Sequence, residues 1–402
     1  MEKLTRQPQI VQRGFPYFLL FTIYAVITAY LPITLKAIGF STAQVGILLG
    51  IIEIVGVCAP FLVMQWLDKT GRYGFMMCIF GVDMALLLLP LLRFHSFFVT
   101  GVCLGIFAVG FKGMVPVLDG FTTKALGQYH NQYGKIRALG SAGFVGMNLF
   151  LQLHPLISGK NPLSIIMSVS AGALLFVITL RWVPDLYDFG LVSAEESLKT
   201  IEPALKHSTE EKSPKPEVSF AAFPQVFWEC LLLIFFAFLG LVPCQRFFSL
   251  YVEEYIKVEA SAGLWALSAM AEIPMLIISG KLIQRFGKGQ LFVVCLLSII
   301  VRNCCYIFIP GIAGAVAGQL LHSISFGLFH PLSVLLCVLQ SRGNTVTAMT
   351  LFTAASGIAY VIGSILGGYI IDYAGYPALF LLFSVFPAIG VGFYLLRMRR
   401  KG

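Results

Sequence analysis

About twelve runs of some twenty apolar residues, joined by short polar turns, leave this chain few ways to fold. A helix rises ~1.5 Å per residue, so each run can cross a hydrocarbon layer of ~30 Å. Backbone groups in lipid must be satisfied inside the segment or in a closed barrel, and runs this long and continuous mean helices. The spans fall near 15–38, 42–66, 74–93, 96–120, 135–156, 162–183, 225–251, 258–281, 289–309, 311–337, 345–371 and 376–397. Composition agrees, with 12% charged residues and a mean hydropathy of +0.86, against roughly 25% charged in soluble domains. The first run is too long for the h-region of a cleavable signal, so it counts as a span.

The net charge of +9 would suit a nucleic-acid partner, but the basic residues follow membrane topology instead. An inside N-terminus puts about 20 Lys and Arg on one side, Lys69, Arg72, Lys124, Lys281, Arg285 and Arg397 among them. The other side receives Lys36, Arg93, Lys160 and Lys257, the asymmetry of a multi-pass cytoplasmic (inner) membrane protein with both termini cytoplasmic. Nine Cys scattered through apolar runs without metal-ligand spacing read as packing residues, so no metal is expected.

Between Pro184 and Pro224 the chain turns polar. This divides it into a six-helix bundle at 1–183, a cytoplasmic linker at 184–224 and a second six-helix bundle at 225–402. The halves repeat: the segment from Ser41 to Ile54 matches that from Ser261 to Ile273, and Glu53 and Glu272 fall at equivalent depths. The expected architecture is an all-α membrane protein of twelve transmembrane helices in two six-helix bundles, with a solute site between them.

Asp119 and Arg137 lie inside apolar runs, each about nine positions from the turn Ala125 to Tyr133. A helical hairpin brings them to one depth, ~13 Å from its tip. Ionisable groups at such depth cost ~2.5–3.5 kcal/mol each and face a cavity or a partner. Glu53, Asp83, Lys112, Arg246, Glu272, Arg302, His322 and His330 join that set. Lys112, two turns before Asp119, can reach the cavity but cannot pair with it through helix spacing. Arg246 pairs one to two turns onward with Glu253 or Glu254, forms an outer gate, or meets solute. A carboxyl alternating between apolar and cationic surroundings takes up and releases a proton, which fits Glu53 and Glu272. Neutral His can do so near neutrality, and Asp83 fits a structural role as well as coupling.

The turn AspLysThrGlyArg at Asp68 to Arg72 resembles the loop after the second span in the major facilitator superfamily. GlyGlyTyrIleIleAspTyrAlaGlyTyr at Gly367 to Tyr376 resembles its eleventh-to-twelfth span ending. Leu35 to Gly50, ProValLeuAspGly, and Tyr133 to Phe144 resemble the phenylpropionate-permease-like branch, related to lactose permease. The resemblance implies the major facilitator fold and a solute clamp at Asp119 and Arg137, since lactose permease binds sugar through an acid and an Arg on the same spans. Phe144 stands where the permease has its stacking Trp, and Leu139 where the branch tends to carry an aromatic residue. Arg302 and His322 stand where the permease has its coupling face, with Gln319 and Ser325 replacing a Lys and a Glu.

The expected function is secondary active transport by alternating access, a proton symport of a small organic solute. No GxxxxGK[ST] motif is present to bind a nucleotide, so no cofactor is expected beyond the proton gradient as driving force. The cations Lys112, Arg137, Arg246 and Arg302 favour a carboxylate with an aromatic body, with Phe144 as a ring face. A sugar or nucleoside is the alternative, and an enzyme or sensor a remote one; His95, His130, His154 and His207 lie in turns or the linker, not in the interfacial His/Asp or His/Glu cluster expected of a membrane enzyme. The expected partners are the solute and the lipid bilayer, with no nucleic acid, and the protein is expected to be a monomer.

Overall fold

The computed structural model describes residues 9–154, 157–187 and 223–399. Most of the segment read as a linker, from 188 to 222, lies outside them. Its first residues dock on the helices: Asp185 pairs with Arg13 at 2.9 Å, and Leu186 is buried.

The described residues are almost entirely helical. They comprise α1 Ile10–Ala37, α2 Thr42–Thr70, α3 Tyr73–Leu86, α4 Phe97–Leu126, α5 Tyr133–Leu153 and α6 Pro162–Thr179. There follow α7 Gln225–Ile256, α8 Ser261–Phe286, α9 Lys288–Phe308 and α10 Gly311–Leu339. A last helical stretch, Thr345–Arg399, has 55 residues, ~80 Å of helix and far more than a bilayer needs. Gly375, at φ 79° and ψ 178°, interrupts it and Pro377 follows, giving α11 (345–374) and α12 (376–399). Twelve helices among the described residues match the expected spans, the third completed by a 3-10 turn at Leu89–Leu92.

Local signals explain several ends. Ser41 Oγ accepts from the Gln44 N–H while the Gln44 side chain accepts from the Ser41 N–H, a capping box that starts α2. Asn161 caps α6 ahead of Pro162. The seventh span runs five residues beyond its expected end, to Ile256, because its terminal acids find partners. Glu253 meets Lys160 at 3.3 Å, and Glu254 accepts from the Tyr376 hydroxyl at 2.6 Å.

In the first half α1 packs on α5 and α6, α2 on α4, and α3 on α4 and α6; the main joints between the halves are α2 with α11 and α5 with α8, and α1 also meets α7 and α8. Glycine lets α11 approach α2 closely: a Cβ on Gly368 would stand 3.0 Å from the Ala43 Cα. The joints are cross-linked at one end. The N–H groups of Thr42 and Ala43 donate to the two Asp372 oxygens at 3.1 and 2.8 Å. Gln152 accepts from the Gly263 N–H at 3.0 Å and donates to the Glu259 carbonyl at 3.2 Å. Toward the other end, α2, α4 and α11 part around a cavity of about 960 Å³.

Candidate functional site

α4 and α5 bring Asp119 and Arg137 together as the hairpin geometry requires. Oδ1 and Nε stand 3.6 Å apart, with 31% and 30% of the side chains exposed. That separation is an electrostatic contact, and the close hydrogen bond to Asp119 comes from the Tyr17 hydroxyl at 2.7 Å. The guanidinium carbon of Arg137 lies 4.4 Å from the Phe21 ring centroid and 5.4 Å from that of Tyr17. Two rings of α1 thus set the guanidinium plane and leave its edge for a ligand.

A second cluster joins three helices. Glu53 on α2 is buried, and its Oε1 meets Lys112 Nζ of α4 at 2.7 Å and Arg246 Nη2 of α7 at 2.8 Å. Arg246 therefore does not pair with Glu253 or Glu254, the partners that its spacing along α7 suggested. Pro243 has no N–H to continue an α-helix, and Pro243–Phe247 forms a wide π turn around Arg246. The nearby Gly240 carbonyl accepts from Asn303 Nδ2 at 3.2 Å. The wide turn changes the direction of Arg246 relative to a regular helix, and Tyr360 of α11 supports its guanidinium at 4.4 Å.

The third cluster lies on α8, α9 and α10. Arg302 is fully buried and donates to Gln319 Oε1 at 2.8 Å, Ser325 Oγ at 3.2 Å and the Tyr306 hydroxyl at 3.1 Å. Its Nη1 also stands 3.1 Å from His322 Nδ1. A guanidinium has only donors, so Nδ1 accepts and the imidazole carries its hydrogen on Nε2. That nitrogen faces Glu272 Oε2 at 3.3 Å. The result is a directed chain from a buried cation through a neutral imidazole to an acid.

A cavity of about 540 Å³ lies between the first and third clusters. Arg137, Phe144, Glu272 and His322 line it, with the rings of Phe21, Trp265 and Phe326. A smaller space of about 120 Å³ lies beside Glu53, Lys112 and Arg246, and Thr28 and Gln245 border both. Twelve helices enclosing an interior cavity lined by paired charges match a family of transporters: residues 13–382 match the MFS_1 like family. The chain belongs to that family. It is a multi-pass membrane transporter of the major facilitator type, and its relatives are transporters rather than enzymes.

This transporter is 22% identical over 299 residues to the uncharacterized transporter YwbF of Bacillus subtilis (strain 168), covering 73% of this chain and 69% of that protein. It is 21% identical to the "Probable 3-phenylpropionic acid transporter" of Escherichia coli (strain K12), covering 92% of this chain and 97% of that protein. The crystal structure of the nucleoside transporter NupG superposes with a TM-score of 0.76 at 14% identity, over 96% of this chain and 98% of that one. That likeness concerns the fold.

The remaining expected residues of the transporter lie elsewhere. Asp83 accepts from the Gly110 N–H at 3.0 Å and fastens α3 to α4. His330 is set against the rings of Phe326 and Phe352, outside the Glu272–His322–Arg302 chain. Sequence reasoning passed over Tyr17, Phe21, Tyr24 and Thr28, which recur at intervals of three and four along α1 and face the site. That spacing is a helical stripe and was there to be read.

Proposed function

We propose that this protein is a proton symporter of the cytoplasmic membrane that carries a small carboxylate with an aromatic body by alternating access. The observation that carries the reading is the mixed lining of one cavity: the guanidinium of Arg137 beside the rings of Phe21, Phe144, Trp265 and Phe326. Rings bury an aromatic body, while cations hold its charged end. In the three clusters four cations, Lys112, Arg137, Arg246 and Arg302, stand against three carboxylates, Asp119, Glu53 and Glu272. The 3-phenylpropionic acid named in the E. coli relative is a solute of this kind.

Both termini lie on the cytoplasmic side, and the cross-linked end is then the outer one. The state described is closed outward, with the cavity between α2, α4 and α11 toward the cytoplasm. The two six-helix halves, 1–183 and 225–402, rock about the solute, and the proton gradient biases that motion through Glu53 or Glu272. The protein acts as a monomer.

A nucleoside or sugar is the second reading, favoured by the Asp119–Arg137 contact, whose acceptor and donors suit vicinal hydroxyls. Uptake of labelled phenylpropionate, a nucleoside and a galactoside into vesicles, with and without a proton gradient, tests both. Gradient-dependent accumulation of phenylpropionate alone is expected; accumulation of none of the three would refute both solute classes.

A further inference from the structure

The contact between Glu53, Lys112 and Arg246 has more positive charge than an ion pair requires. Both cations sit on a single oxygen, Oε1, at 2.7 and 2.8 Å. Arg246 Nε is buried with no hydrogen-bond acceptor among the described residues. A guanidinium offers five N–H donors, and the Tyr360 ring at 4.4 Å holds its plane. The seat therefore has donors for both oxygens of a carboxylate.

The adjoining space of about 120 Å³ has the size of a head group. A cavity of ~150 Å³ is what a bare benzene ring occupies, so a carboxylate fits there and an aromatic ring with its chain does not. Thr28 and Gln245 form the border with the larger, ring-lined cavity, where such a body has room. This seat has more free positive charge than Arg137, which Asp119 balances one to one while Glu53 faces two cations.

We infer that Glu53 is a resident stand-in for the carboxylate of the solute: it fills the anion seat of Lys112 and Arg246 in the empty transporter and yields that seat when it takes up a proton. The inference rests on the carboxylate reading given above for the solute. One proton joins a Glu53 oxygen, one monoanion takes the vacated place, and the charge facing the two cations is unchanged. The transported pair is electroneutral. Glu53 is faced by Lys112 from α4 and Arg246 from α7, with the Tyr24 hydroxyl of α1, which donates to the Phe111 carbonyl, and that of Tyr360 of α11 within electrostatic reach. Lys112 and Arg246 belong to different halves, so a proton without solute leaves two unshielded cations across their joint. Their repulsion opposes reorientation and so suppresses proton leak.

Acetate tests the seat independently of the true solute, since it is a carboxylate with no body. In purified full-length Glu53→Ala and Glu53→Gln, acetate is expected to raise Tm, while neutral acetamide does not. Adding Lys112→Gln to either variant is expected to remove the effect, and wild type at neutral pH is expected not to respond. Failure of acetate to stabilise either variant, or stabilisation that survives Lys112→Gln, overturns the inference. In liposomes, Glu53→Gln is expected to exchange labelled phenylpropionate without accumulating it under a proton gradient. Its affinity should lose the wild-type fall of about tenfold per pH unit above the proton-binding range. A variant that keeps that slope also overturns the inference. Acetate stabilisation together with no phenylpropionate transport by wild type would overturn the solute class and leave the seat standing.

Discussion

Glu53 and Glu272 stand about three turns into α2 and α8, which begin with matching sequences, yet their surroundings differ in kind. Glu53 is buried between Lys112 and Arg246 at 2.7 and 2.8 Å. Glu272 keeps a quarter of its side chain exposed and meets the Nε2 hydrogen of neutral His322 at 3.3 Å. The repeat has produced one acid held between cations and one acid facing the cavity.

That difference separates the effects of removing each charge. Glu272→Gln takes a negative charge from the cavity wall, so affinity for phenylpropionate should rise about fivefold, the size of a ~1 kcal/mol Coulomb term. The pH slope should remain wild type. Binding measured over a pH series by Trp fluorescence, with Trp265 lining the cavity, checks both; a flattened slope would move the proton from Glu53 to Glu272.

Arg137 acts through its plane as well as its charge. Arg137→Lys keeps the charge but loses the stack on Phe21 at 4.4 Å, and solute affinity is expected to fall about tenfold, ~1.4 kcal/mol. Asp119→Asn should weaken binding by a similar factor by releasing the guanidinium. Wild-type affinity in both variants would rule out the clamp.

Arg302 is surrounded by neutral acceptors. Arg302→Lys cannot reach Gln319, Ser325, Tyr306 and His322 together, and unsatisfied buried groups cost ~1–3 kcal/mol each. A marked drop in Tm of the purified protein is expected, and an unchanged Tm would show that the network is dispensable.

Asp372 holds the first N–H groups of α2 with both oxygens. Asp372→Asn removes a charge worth ~0.3–1 kcal/mol at a helix N-terminus, so the equilibrium should move about two- to fivefold toward the state open at that end. Labelling rates of a cysteine introduced beside Gln152 report the change, and equal rates in both proteins would contradict it.

Lys160 reaches across the same end. Hydrogen bonds to Glu259 and Glu253 hold its ammonium pKa above the ordinary lysine value. A raised folded pKa means that its contribution is complete below the unfolded value and is lost only as pH rises through the raised one. Between about pH 6 and 9 this contact should therefore be pH-independent, and Lys160→Gln should cost under ~1 kcal/mol, less at high salt. A pH-dependent Tm difference between variant and wild type within that range would contradict the assignment.

Much of the site was legible because helical spacing is rigid. The turn at Ala125 to Tyr133 put Asp119 level with Arg137, and the repeat put Glu53 level with Glu272. The stripe Tyr17, Phe21, Tyr24 and Thr28 carried the same kind of information. The partner of Arg246 was not legible, because Glu253 and Glu254 were close in sequence while Glu53 lay some two hundred residues away. A π turn at Pro243 and the approach of α2 to α7 decided that pairing.

The amino-acid sequence by itself determined the membrane class, the spans and the depth of each charge, since apolar run length and a rise of ~1.5 Å per residue leave little freedom. Which charges meet was decided by tertiary structure. Depth follows from position along one helix, whereas a contact also needs the rotation, tilt and local widening of its neighbour. Those depend on packing between helices, and here they brought Lys112 and Arg246 onto one oxygen of Glu53.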